Sequence, residues 1–286
     1  MVSTIAIIIP AYNAEKTVEK TVRNVLGQTM RDIEVWVTDD GSTDRTGLIL
    51  DMLSKEDSRV HIIHQPNCGA YQARLNALKR IDTPYFGFVD ADDMIEPEMY
   101  EKMLAVMEQE NLDVVQCGYR TSEGVGECGS GGVEESRSEG VTVLAGEELT
   151  RYKFGYLVNP KVSCFIWDKL YRNKYDFDSF ELTDKVTNFD DMIFNLQFFR
   201  KINRFGLLNE GLYKYSQTEG SAVHTYGPRQ KHDFKWMVNN HYRFTRDLFS
   251  DGEYGRIRLW LGHLHWYAIN LRSSVVSLLK AKITKR

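Results

Sequence analysis

TIAIIIPAYNAEKTVEKTVRNVLGQTMRDIEVWVTDDGS, residues 4–42, sets two apolar runs (4–12 and 32–39) on either side of a segment with helical spacing, 14–26. An uninterrupted apolar run of this length is what a parallel strand covered on both faces requires. The alternation continues. RVHIIHQ (59–65), PYFGFVD (84–90) and LDVVQCGY (112–119) are strand-like, and 42–54, 70–80 and 96–108 have helical spacing. Ser42 with Asp44 marks one helix start, and Pro97 suits a first helical turn. The order βαβαβαβαβ predicts a doubly wound, mainly parallel α/β sheet, whose ligands bind at the carboxyl ends of the strands.

Those ends collect polar and acidic residues: Pro10–Asn13, Asp39–Ser42, Gln65–Gly69 and Asp90–Asp93. No GxGxxG follows the first strand and no GxxxxGK[ST] occurs, so neither a dinucleotide fold nor a P-loop is supported. In FVDADDMIEP (88–97), three carboxylates follow a strand. Like charges so close repel and raise one another's pKa unless a cation sits among them. A hard divalent ion takes one or two carboxylates and completes its shell with water and phosphates, which Asp90 and Asp92 suit. An isolated DxD equally fits a helix cap or a solvated turn, and Asp93 is placed to cap the next helix. Asp39 and Asp40 end the second strand. Capping accounts for one of them, and the other can accept from a base or a ribose hydroxyl. Asp190 and Asp191 open a helical pattern, where the helix dipole alone would favour them.

With 42% hydrophobic and 27% charged residues, the 286-residue chain reads as globular and large enough for a sizeable core. No basic leader or cleavage site precedes the first strand and no window approaches a membrane span, so a cytoplasmic protein is expected. Cys68, Cys117, Cys128 and Cys164 form no CxxC pair, which disfavours zinc or a disulfide framework. Net charge is −4 overall but +6 over 252–286, leaving −10 on the rest. That acidic body excludes a nucleic-acid module.

Residues 121–140, rich in Gly, Ser and Glu, read as a mobile surface loop. A helix near 145–154, the aromatic-basic run FIWDKLYRNKY (165–175), a helix over 188–202, a strand over 205–217 and two long helices from about 228 follow. Ile257, Leu261, Leu264, Ala268, Leu271, Val275 and Leu278 make one apolar stripe among Arg and Lys. Such a helix packs on its own body or a second subunit, as in a homodimer, or lies on an anionic membrane surface at the inner face.

The motifs in 3–120, with GAYQARLNAL, YFGFVDADDMIEP and the later NFDDMIFNLQFF, resemble family 2 glycosyltransferases of GT-A fold. The resemblance implies an inverting transferase, dependent on Mg2+ or Mn2+, moving a sugar from a nucleotide-sugar donor, UDP-type by expectation, to a glycan or lipid-linked acceptor in surface polysaccharide synthesis. It implies that Pro10, Ala11, Tyr12, Asn13, Asp39, Asp40, Arg74 and Asp90 line the nucleotide. Asp92, with Asp90, would hold the metal, and Asp191 would be the general base beside Asp190. Leu75 and Ala77 depart from the family pattern around Arg74. His224 would face metal or phosphate, and Trp167, Lys169 and Tyr171 would lie beneath the acceptor pocket, burial in the core being the alternative. The division expected is a donor half (1–120), an acceptor half with the base (121–227) and a helical tail (228–286). The rivals are a nucleotidyltransferase, which would want a basic Gly-rich loop where PAYNAEKT stands, and a non-catalytic nucleotide- or sugar-binding partner subunit.

Overall fold

The computed structural model describes residues 4–121, 124–126, 140–158, 165–174, 176–180, 190–216 and 232. In chain order these form β1 (Ile5–Ala11), α1 (Val18–Leu26), β2 (Ile33–Asp39), α2 (Thr46–Glu56), β3 (Val60–His64), α3 (Ala70–Leu78), β4 (Tyr85–Phe88), β5 (Met94–Ile95) and α4 (Met99–Gln109). There follow β6 (Val114–Thr121), β7 (Gly124–Gly126), β8 (Val141–Ala145), α5 (Gly146–Val158), β9 (Lys169–Arg172), a 3-10 turn (Phe177–Ser179), α6 (Asp190–Phe199) and β10 (Arg204–Lys214).

The strands make one sheet in the order β3-β2-β1-β4-β9-β6-β10-β5, with β7 on β6 and β8 on β10. β1 pairs in parallel with β2 and β4, and β2 with β3. The chain steps outward from β1 through β2 to β3, then returns to the far side of β1 as β4. That reversal opens a crevice at the carboxyl ends of β1 and β4.

β1 is buried along both faces because each is roofed by helices. Ile5, Ile7 and Ile9 meet Val18, Val22 and Val25 of α1 and Leu50 and Leu53 of α2, while Ala6 and Ile8 meet Tyr71, Leu75 and Leu78 of α3 and Phe194 and Phe198 of α6. The valines of α1 recur at steps of four and three, so they share one face, and each buried one contributes roughly 1.5–3 kcal/mol.

Three sequence expectations are corrected, and one strand was not foreseen. β9 lies between β4 and β6, antiparallel to both. Its KLYR is too short and too mixed to announce a strand. α2 begins at Thr46 rather than Ser42, with the Asp44 carboxylate accepting from Thr46 N–H (2.9 Å) and Oγ1 (2.6 Å). Pro97 lies ahead of α4 instead of inside its first turn. Of the segment read as a loop, Thr121 ends β6 and Gly124–Gly126 pairs antiparallel with it; 122–123 and 127–139 lie outside the described residues. So do the proposed helices from 228 and the tail stripe, His232 apart.

Candidate active site at the carboxyl edge of the sheet

The loops after β1 and β2 are tied together. Asn13 adopts φ 50°, a left-handed conformation that Asn tolerates. Its N–H donates to Ser42 Oγ (3.0 Å), and its side-chain carbonyl accepts from Thr43 N–H (2.8 Å). Ala11 and Pro10 lie beneath, and the Tyr12 ring stands 52% exposed over this edge.

Asp39 and Asp40 are both committed to protein donors, contrary to the expectation that capping would occupy only one. Asp39 accepts from Ser42 N–H and pairs with His64 Nδ1, each at 3.0 Å. His64 Nε2 meets Asp51 Oδ1 at 3.0 Å, so Asp51 first, and Asp39 with it, raise the imidazole pKa against a desolvation that lowers it. Asp40 accepts from Gln65 Nε2 (2.7 Å) and from Cys68 and Gly69 N–H (2.8 Å each), clamping the loop that enters α3. Gly41 turns between the two loops at φ 72°. A Cβ there would stand 2.7 Å from Asn67 N.

The second cluster joins residues 74 to 191. Arg74, on α3 and only 6% exposed, donates through Nη2 to Asp90 Oδ1 (2.7 Å) and through Nη1 to Asp190 Oδ2 (2.5 Å), with Asp191 Oδ1 at 3.4 Å. One guanidinium thus gathers carboxylates from the end of β4 and the first turn of α6. Burial disfavours its charge, but Asp90, Asp191 and Asp190 outweigh that and raise its pKa. Burial is also the leading reason that Asp191 sits well above the ordinary carboxylate range, reinforced by Asp190 and opposed by Arg74. Asp190 is raised by burial, with Arg74 pulling it back. Carboxyl groups held above their ordinary range in this way are suited to general acid-base work.

Asp93 does not cap α4. It is wholly buried, accepts from Tyr213 Oη and Ser216 N–H (2.7 Å each), and so fastens the DADD turn to the end of β10. Tyr213 Oη in turn accepts from Asp90 N–H at 3.2 Å. Burial, then Asp90, push the Asp93 carboxyl up to about 8. Sequence reading missed Tyr213, which looks like any aromatic in an apolar strand.

The donor set suits a divalent cation bound together with a diphosphate. Arg74 takes only Oδ1 of Asp90, and Asp92 is half-buried on the same turn. Among the described residues no three His, Cys, Asp or Glu side chains could hold an ion by themselves. Two carboxylates completed by phosphate oxygens and water are the arrangement hard cations accept.

Trp167 and Lys169 are buried in the core, the alternative that the sequence left open. Trp167 is 2% exposed, stacked between Phe165 (4.4 Å) and Tyr213 (4.2 Å). Lys169 is fully buried on Asp168 Oδ1 (2.7 Å), and Tyr171 lies flat on Phe86 at 5.0 Å. β9 is buried on both faces, Lys169, Leu170 and Tyr171 alike. His224 lies outside the described residues.

Known proteins share this architecture. The family model described as "Glycosyl transferase family 2" matches residues 6–131. An uncharacterized glycosyltransferase of Bacillus subtilis, EpsJ, is 32% identical over 251 residues, covering 85% of this chain and 71% of that protein. A putative teichuronic acid biosynthesis glycosyltransferase of the same species, TuaG, is 37% identical over 116 residues, covering 40% of this chain and 46% of TuaG. Staphylococcus aureus TarS (residues 1–349) superposes with a TM-score of 0.68 at 20% identity, over 92% of this chain and 71% of that one. Its complex with UDP-GlcNAc gives 0.65 at 21%, over 82% and 65%. The mannosyltransferase PcManGT of Pyrobaculum calidifontis, in complex with GDP-Man and Mn2+, gives 0.58 at 13%, over 99% and 80%. The fold is GT-A. The chain belongs to glycosyltransferase family 2.

Proposed function

We propose that the chain transfers a sugar, with inversion, from a nucleoside diphosphate-sugar to a hydroxyl of a glycan or lipid-linked glycan, in the synthesis of a surface polysaccharide. The observation that carries this is the Arg74 cluster, which sets the candidate diphosphate-side acid Asp90 and the candidate base Asp191 around one guanidinium. The donor half is 1–120 and the acceptor half 121–227. The TarS complex makes a UDP-sugar the first donor to test, and the TuaG likeness supports a polymer acceptor.

In this reading the nucleoside lies on the loops after β1 and β2, with the base against Tyr12 and the ribose toward Asp39 and Asp40. Asp191 takes the acceptor hydroxyl's proton as that oxygen attacks the anomeric carbon from the face opposite the diphosphate. The anomeric C–O bond to the diphosphate breaks with its electron pair on the leaving oxygen, so one displacement inverts the centre. Asp90 and Asp92 would hold a divalent ion, Mg2+ or Mn2+, which supplies charge stabilisation to the leaving diphosphate. Arg74 keeps Asp190 and Asp191 oriented while the carboxylates stay buried.

Calorimetric titration with UDP, GDP and CDP, each with Mn2+ and with EDTA, tests the proposal. Metal-dependent binding of one nucleotide is the expected result. Folded protein that binds none of them would favour a partner subunit without catalysis.

A further inference from the structure

The turn Asp90–Asp93 carries three carboxyl groups, and burial divides them. The Asp90 side chain is 30% exposed and Asp92 is half-buried, whereas Asp93 is sealed at 0%. Asp93 therefore presents no surface to a ligand.

Its hydrogen bonds show what it holds. Asp93 accepts from Tyr213 Oη through Oδ2 and from Ser216 N–H through Oδ1, both at 2.7 Å. The same hydroxyl accepts from Asp90 N–H at 3.2 Å. The Tyr213 ring is itself fixed, because Trp167 stacks on it at 4.2 Å and the strand pairs Tyr213 with Ile95 of β5. Asp90 is thereby held at two points, its N–H on Tyr213 and its Oδ1 on Arg74 Nη2 at 2.7 Å. From α1, Thr21 Oγ1 donates to the carbonyls of Ala91 and Asp93, 3.0 Å each. The turn is gripped between α1 and β10.

Docking alone does not require this polar lock. Asn24 on α1 already bonds both backbone groups of Ile95, at 2.8 and 3.1 Å, and β5 already pairs with β10, Glu96 N–H donating to Leu212 O at 2.8 Å. Apolar groups of the same shape can replace both partners of a buried hydrogen bond at little cost in stability. A satisfied buried polar network fixes one geometry instead.

We propose that Tyr213, braced by Asp93, is a positioning residue for the divalent cation: its hydroxyl holds the Asp90 backbone so that the turn presents Asp90 and Asp92 together to the ion. The inference rests on the reading of Asp90 and Asp92 as the residues that take the cation. Tyr213 is wholly buried and acts through Asp90 alone. Groups that orient a metal's ligands typically carry roughly 10- to 100-fold in its affinity.

The test reads binding rather than turnover. UDP is titrated calorimetrically into each protein in EDTA and at a series of Mn2+ concentrations, beside urea unfolding in EDTA. Tyr213→Phe keeps the ring and its stack and deletes only the hydroxyl. The Mn2+ concentration that half-saturates the gain in UDP affinity should rise by about 10- to 100-fold, with UDP affinity in EDTA within about twofold of wild type. Thr21→Val loosens the same turn from α1 without removing a charge. It should raise that midpoint by about tenfold, and it carries the test if Tyr213→Phe does not fold. Tyr152→Phe is the control, because it too deletes a buried hydroxyl, one that donates to Gln116 Oε1 at 2.9 Å in the other hydrophobic cluster. A lower urea midpoint with an unmoved Mn2+ midpoint is expected there. Folded Tyr213→Phe with the wild-type Mn2+ midpoint, or with equal losses in Mn2+ and EDTA, overturns the positioning role, as does an equal shift in Tyr152→Phe. If wild-type UDP binding ignores Mn2+, or Asp92→Ala binds UDP in Mn2+ as the wild type does, it is the cation reading that fails.

Discussion

The two clusters at the sheet's edge are built differently. Around Asp39 and Asp40 each carboxylate is satisfied by neutral donors from the adjoining loops, mostly backbone N–H groups, with His64 as a partner open to solvent. Around Arg74 three carboxylates share one buried guanidinium, and its Nε finds no acceptor among the described residues. The first is a loop clamp that holds a shape. The second crowds three carboxyl groups around one cation, so their ionised forms are disfavoured by burial and by one another, and a bound cation at Asp90 and Asp92 would relieve part of that cost. The difference teaches that the edge has a part fixed by loop hydrogen bonds and a part loaded with crowded carboxyl groups; in the proposed function the first would serve recognition and the second chemistry.

Four changes break or sharpen this contrast. Arg74→Met strands three carboxylates, and loss of one partner from a buried ionic cluster costs roughly 3–5 kcal/mol. Urea unfolding should show a loss of that size, and Arg74→Met/Asp190→Asn should recover part of it. Asp92→Ala leaves the clamp intact, so UDP affinity should fall at least tenfold in Mn2+, about 1.4 kcal/mol, and be unchanged in EDTA. Equal weakening in both conditions would place Asp92 outside the metal site. Gly41→Ala attacks the clamp instead. Forcing a side chain at φ 72° and 2.7 Å from Asn67 N should cost about 1–3 kcal/mol of stability and weaken nucleotide binding with or without metal, read by thermal unfolding and calorimetry.

The smallest effect is a control remote from both clusters. Lys153 is buried, donates to Ile202 O at 3.0 Å, and has its pKa pushed down to about 8 by burial, with Asp113 opposing. Between about pH 8 and the unfolded value near 10.4 the unfolded chain holds a proton the folded one has released, so stability from this group rises with pH. Relative to Lys153→Met, the wild type should gain about 1 kcal/mol per pH unit over that window, measured by urea unfolding. A flat difference would contradict the burial assigned to Lys153.

The contrast also explains what could be read from sequence. Residues 1–120 were legible because their strands are continuous apolar runs, their helices carry one-sided spacing, and the clamp joins loops 25 to 30 residues apart. The Arg74 cluster joins residues 16 and 116 apart through side chains that no local period relates. Arg74 and Asp190–Asp191 each stood out within a separate motif, yet nothing in the chain announced that they meet. β9 escaped because four residues carry too little alternation, and Trp167 and Lys169 were set beneath an acceptor pocket by resemblance, with burial in the core left as the alternative. Burial, which decides their role, is a property of the assembled sheet. Asp93 likewise looked like a cap until β10 arrived beside it.

The most direct test of the account is single-turnover sugar transfer by Asp191→Asn, measured beside calorimetric UDP binding by the same protein. The account predicts UDP affinity within about twofold of wild type and transfer slower by about 10²–10⁴. Transfer at the wild-type rate by a variant that binds UDP normally would contradict it.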